Sequence, residues 1–235
     1  MSCSLRGRAR AQTLRGVKAS EGFAPGRVVW ICALWALIHS VLASKHVKDL
    51  IRRIAGPRFR DGLYRLAYNI QSVALLLWAA RRFSRLPDRE LYRVEPPWSW
   101  LFRASQAVSL GVLLSGVRVM GTLNFAGLKS LRDFLTRKDV RPATEAQGPP
   151  VGDDDEVVRI GAFRFTRHPG NLGALGFFLF LARMTANRAV LLALVALYVV
   201  LGSMHEEYRL RGAYGVAYER YRRAVPFLIP RRPRK

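Results

Sequence analysis

Five apolar stretches without charged residues alternate with arginine-rich segments along the chain. They cover residues 28–44, 66–80, 104–117, 168–182 and 189–204. Each is shorter than the roughly 20 apolar residues that cross a bilayer. Flanking arginines can lengthen them, because a long side chain can lie along a helix and place its charge among the headgroups. We therefore predict five membrane helices, at about 28–45, 63–81, 98–121, 169–184 and 188–206.

Aromatic residues near the ends of these stretches support a membrane assignment, since Trp and Tyr concentrate at bilayer interfaces. They are Trp30, Trp35, Trp78, Trp98, Trp100 and Tyr198. Only residues 184–187 separate the last two predicted helices, so these two must form a tight antiparallel hairpin. The predicted fold class is all-α, a multi-pass transmembrane bundle of about five helices with a C-terminal helical hairpin and a cytoplasmic tail.

The net charge and its distribution indicate which kind of partner the chain has. Lys and Arg number 39 against 16 Asp and Glu, giving a net charge of +23. Such an excess suits either a nucleic-acid binder or a membrane protein. Because the basic residues gather at the ends of apolar stretches, we expect a lipid bilayer as partner and no nucleic acid. More of them fall on the side of the C-terminus, so the positive-inside rule predicts a cytoplasmic C-terminus.

Four regions follow from this pattern. Residues 1–27 form a basic N-terminal tail, expected to be disordered and to lack the apolar core of a signal peptide. Residues 28–126 carry the three front helices, residues 127–160 form a cytoplasmic linker, and residues 161–235 form the core. The linker's acidic run, 153–156, is typical of solvated surface. With only two cysteines, neither a disulfide framework nor a cysteine metal site is expected, and we predict no metal site.

Charged residues at the two ends of the predicted hairpin form the candidate site. Pro169 presets the start of a helix, so Arg167 and His168 lie at the positive end of the helix dipole, where an anion is favoured. The hairpin returns Glu206 and Glu207 to the same face. Such a cluster offers positive groups for a carboxylate and negative groups for a cation or for ribose hydroxyls. It suits a zwitterionic cofactor.

Two further sets of residues have two explanations each. Gly170, Gly173 and Gly176 recur every three residues, which permits either close helix packing or the approach of a flat ligand. In the front helices, His39, Asn69 and Gln71 are costly in hydrocarbon and should face the bundle interior. There they either join helices by hydrogen bonds or line a channel for an acceptor. A lone His39 gives little support for a haem or metal ligand.

Several motifs in the C-terminal part resemble those of a known superfamily. They are Arg167-His-Pro-x-x-x-Gly173, a two-helix hairpin, Glu206-Glu-x-x-Leu210, Tyr214-Gly-x-x-Tyr-x-x-Tyr221 and Val225-Pro-x-x-x-Pro230. In this order they resemble the isoprenylcysteine carboxyl methyltransferase superfamily of integral membrane methyltransferases. The front-half segments 39–45 and 63–69 are similar to its bacterial branch, which contains methanethiol S-methyltransferases and NnrU-like proteins.

The resemblance implies a methyltransferase that uses S-adenosylmethionine in a bacterial cytoplasmic membrane. The acceptor would be small or lipophilic, such as a thiol or a carboxylate. By position, Arg167 and Glu207 would be catalytic. The cofactor-binding residues would be Arg167, His168, Pro169, Asn171, Gly173, Glu206, Glu207, Tyr218 and Tyr221. Asn171 departs from the family, which usually has Tyr there, so the site lacks that aromatic face.

Two other functions remain open from the sequence. One is a non-enzymatic membrane protein of the NnrU type. The other is an NADPH-dependent membrane reductase, because sterol reductases have a similar His-Pro loop. No oligomeric state is predicted.

Overall fold

The structure is a computed structural model that describes residues 23–136 and 148–230. Its helices are α1 (Pro25–Ala43), α2 (Lys45–Ala55), α3 (Pro57–Gly62), α4 (Tyr64–Phe83), α5 (Trp98–Met120), α6 (Thr122–Ala126), α7 (Leu128–Leu135), α8 (Pro169–Leu179), α9 (Ala186–Tyr214) and α10 (Val216–Ala224). Two short strands, β1 (Glu90–Arg93) and β2 (Arg183–Thr185), and a 3-10 turn, Gly161–Arg164, complete the order. The predicted all-α membrane bundle is confirmed.

All five predicted helices are present, as α1, α4, α5, α8 and α9. Of the described helices, α1, α5 and α9 are long and apolar enough to span a membrane. Helix α4 has 20 residues but contains polar ones, including Asn69 and Gln71. Helix α8 ends at Leu179, before the predicted 184, and its 11 residues reach only about 16 Å at 1.5 Å per residue. It does not cross a bilayer by itself.

The other predicted boundaries need correction where the chain is described. Helix α1 begins at Pro25, inside the predicted tail, whose residues 1–22 lie outside the described part. The predicted linker begins with a helix, α7, and contains a bridge between Val151 and Val157. Its residues 137–147 are also outside the described part. The short helices α2, α3, α6 and α10 were not predicted, because none contains a long apolar stretch free of charged residues. Helix α2 nevertheless has a clear helical pattern, with Val47, Leu50, Ile51 and Ile54 on one face.

The two helices of the hairpin differ in length. Helix α8 has 11 residues, and after Leu179 the chain turns at Phe180 and bends at Ala182 before it enters strand β2. Helix α9 has 29 residues and runs to Tyr214, beyond the predicted end at 206. Glu206 and Glu207 therefore lie inside α9, about two turns before its end.

The tip of the hairpin is fixed by a two-stranded ribbon and one buried asparagine. Strands β1 and β2 pair antiparallel, with Glu90 opposite Thr185. Asn187 is fully buried; its Oδ1 accepts from Ala24 N at 3.3 Å and its Nδ2 donates to Pro87 O at 2.8 Å. This single amide therefore joins the start of α1 and the segment before β1 to α9.

Helices α5 and α8 approach each other closely through glycines. A Cβ atom on Gly173 would lie 2.4 Å from Ser109 O, and one on Gly176 would lie 2.5 Å from Ser109 Oγ. On the facing side, a Cβ on Gly116 would lie 3.0 Å from Pro169 Cγ. Of the two explanations for the glycine spacing, helix packing accounts for Gly173 and Gly176. A Cβ on Gly170 would meet nothing within 4 Å.

The polar residues of the front helices form interhelical contacts. Tyr68 Oη lies 2.8 Å from His39 Nε2, and Ser72 Oγ lies 3.2 Å from His39 Nδ1. Asn69 Nδ2 donates to Phe125 O at 2.8 Å. Gln71 Oε1 is buried and has no hydrogen-bond partner among the described residues. Hydrogen bonding between elements, the first of the two explanations, accounts for His39 and Asn69.

Candidate functional site

The loop before α8 is held in place by the C-terminal segment. Arg167 N donates to Pro226 O at 3.1 Å, and Thr166 Oγ1 donates to Phe227 O at 3.4 Å. The 3-10 turn that leads into this loop starts at Gly161, whose φ of 54° favours glycine. These bonds fix the backbone of Arg167 and His168 immediately before Pro169, which begins α8.

Glu207 is the centre of a buried set of charges, and the expected proximity of the two hairpin ends is confirmed. Its Oε1 lies 3.1 Å from Arg167 Nε and 3.4 Å from His168 Nε2. Its Oε2 lies 3.5 Å from Arg222 Nε and 4.0 Å from Arg211 Nη2. The side chains of Arg167 and Glu207 are only 8% and 9% exposed. Because burial weakens solvent screening, the interactions among these charges are stronger than those of an exposed ion pair.

His168 lies between two carboxylates. Its Nδ1 is 3.0 Å from Glu206 Oε2, while its Nε2 faces Glu207, and its side chain is completely buried. Only the doubly protonated imidazolium can donate to both carboxylates at once. Phe227 covers this group: its ring meets the His168 ring edge-on at 5.2 Å, and the Arg167 guanidinium lies 5.5 Å from its centroid. We call Arg167, His168, Glu206 and Glu207 the charge cluster.

Two tyrosines of α10 pack beside the charge cluster and differ in their hydrogen bonds. Tyr221 donates to Phe163 O at 2.9 Å. Tyr218 is fully buried, and its hydroxyl has no hydrogen-bond partner among the described residues. Burial raises the pKa of both phenols, and the negative charge of Glu207 raises the pKa of Tyr218 further. The Tyr218 hydroxyl is thus an unused donor beside the cluster.

The remaining sequence-predicted residues lie deeper in the hairpin. Asn171 donates through Nδ2 to Ser203 Oγ at 2.7 Å. Pro169 and Gly173 are buried against α5 and do not take part in the contacts of the charge cluster.

Sequence reasoning missed several residues of the site. The i,i+4 spacing of Glu207 and Arg211 could have revealed that contact. No sequence signal indicates Arg222, Phe227 or Ser203, because each reaches the site through tertiary packing.

The acidic run forms an ordered turn that contacts α10. Gly152 N donates to Glu156 O at 2.8 Å, and Asp155 has a φ of 56°. Glu156 Oε1 pairs with Arg220 Nε at 2.6 Å. Within residues 23–136 and 148–230, no group of three or more His, Cys, Asp or Glu side chains could hold a metal ion.

Three curated proteins are similar to this chain over most of its length, and each is named a methanethiol S-methyltransferase. The protein from Crocosphaera subtropica is 34% identical over 209 residues, which cover 86% of this chain and 73% of that protein. Those from Pseudomonas deceptionensis and Bradyrhizobium diazoefficiens are each 25% identical, over 205 and 201 residues. The matches cover 86% and 85% of this chain, and 71% and 65% of the respective relatives. This chain thus spans about two thirds of the Bradyrhizobium protein.

No family model matches the sequence. No solved structure matches it either.

Proposed function

The chain belongs to the methanethiol S-methyltransferase family, and from this membership we propose that it transfers a methyl group from S-adenosylmethionine to a small thiol within a membrane. The three apolar helices and the names of the relatives support a membrane methyltransferase. One structural observation supports the location of the site. It is the charge cluster, in which His168 lies between Glu206 and Glu207 beside Arg167.

The chemistry of these residues fits S-adenosylmethionine. That molecule carries a carboxylate, an ammonium group and ribose hydroxyls, so it needs donors and acceptors of both signs. The Arg167 guanidinium has five N–H donors, and the described contacts use Nε and Nη1. The remaining donors can bind a carboxylate. The Tyr218 hydroxyl, which is buried and has no hydrogen-bond partner among the described residues, is a further available donor.

The two glutamates would have different roles. Glu207 is fixed by Arg167 and Arg222, so it serves mainly to orient these guanidinium groups. Glu206 has one described contact, to His168, and its side chain is 26% exposed. It can therefore accept a hydrogen bond from an ammonium group or a ribose hydroxyl.

The task of the chain would be positioning. S-adenosylmethionine would supply an electrophilic methyl group, whose transfer to a thiol breaks one sulfonium carbon–sulfur bond, forms a thioether, leaves a second neutral thioether and releases the thiol proton. Holding two reactants at near-attack distance in a water-poor site lowers a barrier by about 7 to 11 kcal/mol. Phe227, which covers His168 and Arg167, contributes to the exclusion of water.

We also propose that the charge cluster faces the cytoplasm. The C-terminal segment that closes the site carries Arg220, Arg222 and Arg223, consistent with the positive-inside rule. A cytoplasmic site would have direct access to a soluble cofactor, while the thiol reaches it through the bilayer.

Calorimetric titration of the purified protein in detergent tests the cofactor. We expect S-adenosylmethionine to bind and NADPH not to bind. Incubation with S-adenosylmethionine and methanethiol should then release dimethyl sulfide, measured by gas chromatography. Binding of NADPH alone would favour a reductase, and binding of neither would favour a non-enzymatic membrane protein; either result contradicts the proposal.

A further inference from the structure

Helix α1 is long enough to end at a membrane surface, and one residue separates it from α2. Its 19 residues cover about 28 Å, close to the roughly 30 Å of the hydrocarbon core of a bilayer. Ser44 then adopts an extended conformation, with φ −66° and ψ 151°, and its Oγ accepts from Val47 N at 3.4 Å. Because the helix is interrupted at Ser44 and capped anew, α2 does not continue α1 and starts at the level of the headgroups.

The membrane surface at which α1 ends is the one on the side of the charge cluster. Ala24 N bonds Asn187 at the start of α9, and further along both helices Ser40 Oγ lies 3.4 Å from Tyr198 Oη. Helices α1 and α9 therefore run in the same direction from the hairpin tip. The end of α1, and with it the start of α2, lies towards the end of α9 that carries the charge cluster.

Helix α2 is amphipathic, and part of its apolar face is exposed. Its apolar side chains share one face, which consists of Val47, Leu50, Ile51 and Ile54. Of these, Leu50 is 52% exposed and Ile54 is 73% exposed. The other face carries Asp49 and the four basic residues, Lys45, Lys48, Arg52 and Arg53. At 100° per residue, Lys48 and Arg53 flank the apolar face on its two sides.

A second helix close to α2 has the same character. Helix α3 contacts both α2 and α7, and Arg58 joins it to α7 by donating from Nη2 to Phe134 O at 2.8 Å. Helix α7 also separates its apolar residues from its polar ones, and it leaves Leu128 and Leu135 exposed. The amphipathic surface of α2 is therefore part of a larger one.

We propose that α2 lies in the headgroup region of the leaflet on the side of the charge cluster and binds the phosphate groups of anionic phospholipids. Leu50 and Ile54 are then buried among the upper parts of the acyl chains, as in other interfacial helices. Four basic side chains and one acidic one give α2 a net charge of +3, which a negatively charged leaflet attracts. Its arginines can bind phosphate oxygens through two N–H groups at once.

This lipid surface is separate from the proposed methyl transfer, and its test involves no substrate. Nitroxide labels on the two faces of α2 measure its position in a bilayer. Single cysteines are introduced into the full chain after serine has replaced both native cysteines, and the labelled protein is placed in nanodiscs of phosphatidylcholine mixed with phosphatidylglycerol. The substitutions are Leu50→Cys and Ile54→Cys on the apolar face, and Lys45→Cys and Arg52→Cys on the basic face.

Collisions with molecular oxygen report the acyl region, and collisions with a water-soluble nickel complex report the solvent. We expect the ratio of oxygen to nickel collisions to be about tenfold higher at positions 50 and 54 than at positions 45 and 52. Equal ratios on the two faces would place α2 in water. Few collisions with either reagent at 50 and 54 would mean that a second copy or another protein covers them. Either result overturns the proposal.

A variant with less charge tests the preference for anionic lipid. Amide exchange of residues 45–55 is followed in unlabelled protein, in nanodiscs with and without phosphatidylglycerol. We expect the anionic lipid to slow this exchange about tenfold, and the difference should fall to about twofold in Arg52→Gln/Arg53→Gln. The control is Arg81→Gln/Arg82→Gln, which removes two exposed arginines from the last turn of α4 and should leave the difference unchanged.

The control removes equal charge at the other membrane surface. Helix α4 starts beside the end of α1, where Tyr64 Oη donates to Leu42 O at 2.6 Å, and its 20 residues carry Arg81 and Arg82 to the opposite side. If phosphatidylglycerol does not change the exchange of residues 45–55, α2 does not bind anionic headgroups and the proposal is overturned. It is also overturned if the test and control variants reduce the lipid effect equally.

Discussion

Glu207 and Arg167 form a buried ion pair across the hairpin, with 3.1 Å between Oε1 and Nε. The contact is an ion pair rather than a well-aligned hydrogen bond, since Arg167 Nε has no partner of hydrogen-bond geometry within the described part of the chain. The pair exists because the antiparallel hairpin of α8 and α9 brings Glu207 beside the loop that precedes α8. The geometry of the candidate site is therefore a consequence of the hairpin.

Removing the charge of Glu207 should destabilise the protein more than removing that of Glu206. Glu207→Gln leaves Arg167 buried without its counter-charge, and breaking a buried pair costs about 3 kcal/mol. Glu206→Gln affects a side chain that is 26% exposed and has one described contact, so we expect about 1 kcal/mol. Unfolding in detergent by guanidinium would measure both. Equal losses would contradict the central position of Glu207.

The same hairpin gives a matched pair of glycine substitutions. Gly173→Ala forces a methyl group against Ser109 and should destabilise by about 2 kcal/mol through separation of α5 and α8. Gly170→Ala meets open space and should be neutral or stabilising by up to about 1 kcal/mol, because alanine is the better helix former. Thermal unfolding of both variants is the measurement. If Gly170→Ala lost as much stability as Gly173→Ala, the room available for a Cβ atom would not explain the difference expected between the two positions.

Asn187 at the hairpin tip should be important for stability although it is remote from the candidate site. Asn187→Ala removes the partners of Ala24 N and Pro87 O, and we expect a loss of about 2 kcal/mol. Cofactor affinity of the folded variant should be unchanged within about twofold, as expected for distant independent sites. A fall in affinity at full folding would indicate that the ribbon end positions the charge cluster.

Much of the hairpin and its cluster could be predicted from the sequence, since local patterns encode them. The apolar stretches located α8 and α9, Pro169 marked the start of α8, and the shortness of the turn required antiparallel arms. From these facts alone, Glu206 and Glu207 had to return close to Arg167 and His168. The end of α8 at Leu179 was not predicted. Residues 180–182 are apolar, like the helix before them, and include no glycine or proline that would mark a helix end.

Other features depend on tertiary packing that no local pattern records. Arg222 follows Tyr221 in a basic helix and resembles any surface arginine, yet it contacts Glu207. The spacing of Gly170, Gly173 and Gly176 left packing and ligand approach undecided until α5 was seen to lie against two of the three. Asn187 is one polar residue at a predicted turn, and its burial depends on elements distant in sequence.

The buried tyrosines of α10 should resist titration at alkaline pH. Burial raises the pKa of Tyr218 and of Tyr221 above the ordinary value near 10. Because each pKa is higher in the folded protein, the stability that these phenols contribute is complete below about pH 10 and is lost as pH rises above it. In the folded protein, Tyr221→Phe should leave the tyrosinate absorbance change between pH 9 and about pH 11 unaltered. A decrease in this absorbance change equivalent to one titrating tyrosine would contradict the prediction.

The contrast between Tyr218 and Tyr221 gives the sharpest test of a ligand beside the charge cluster. Tyr221→Phe removes the bond to Phe163 O and leaves a buried carbonyl unpaired, so we expect a loss of about 1 to 2 kcal/mol of stability. Tyr218→Phe removes a hydroxyl that has no described partner, so the free protein should lose almost no stability.

If the Tyr218 hydroxyl donates to the cofactor, its removal should have a measurable effect only when the cofactor is bound. We expect Tyr218→Phe to weaken S-adenosylmethionine binding about 5- to 10-fold in calorimetry, the effect of one lost hydrogen bond. The stabilisation by saturating ligand should fall by the corresponding amount, because ligand binding stabilises the folded state in proportion to the logarithm of affinity. A variant with lower stability and unchanged affinity would instead make Tyr218 a structural residue, and the cluster would need another donor for the ligand.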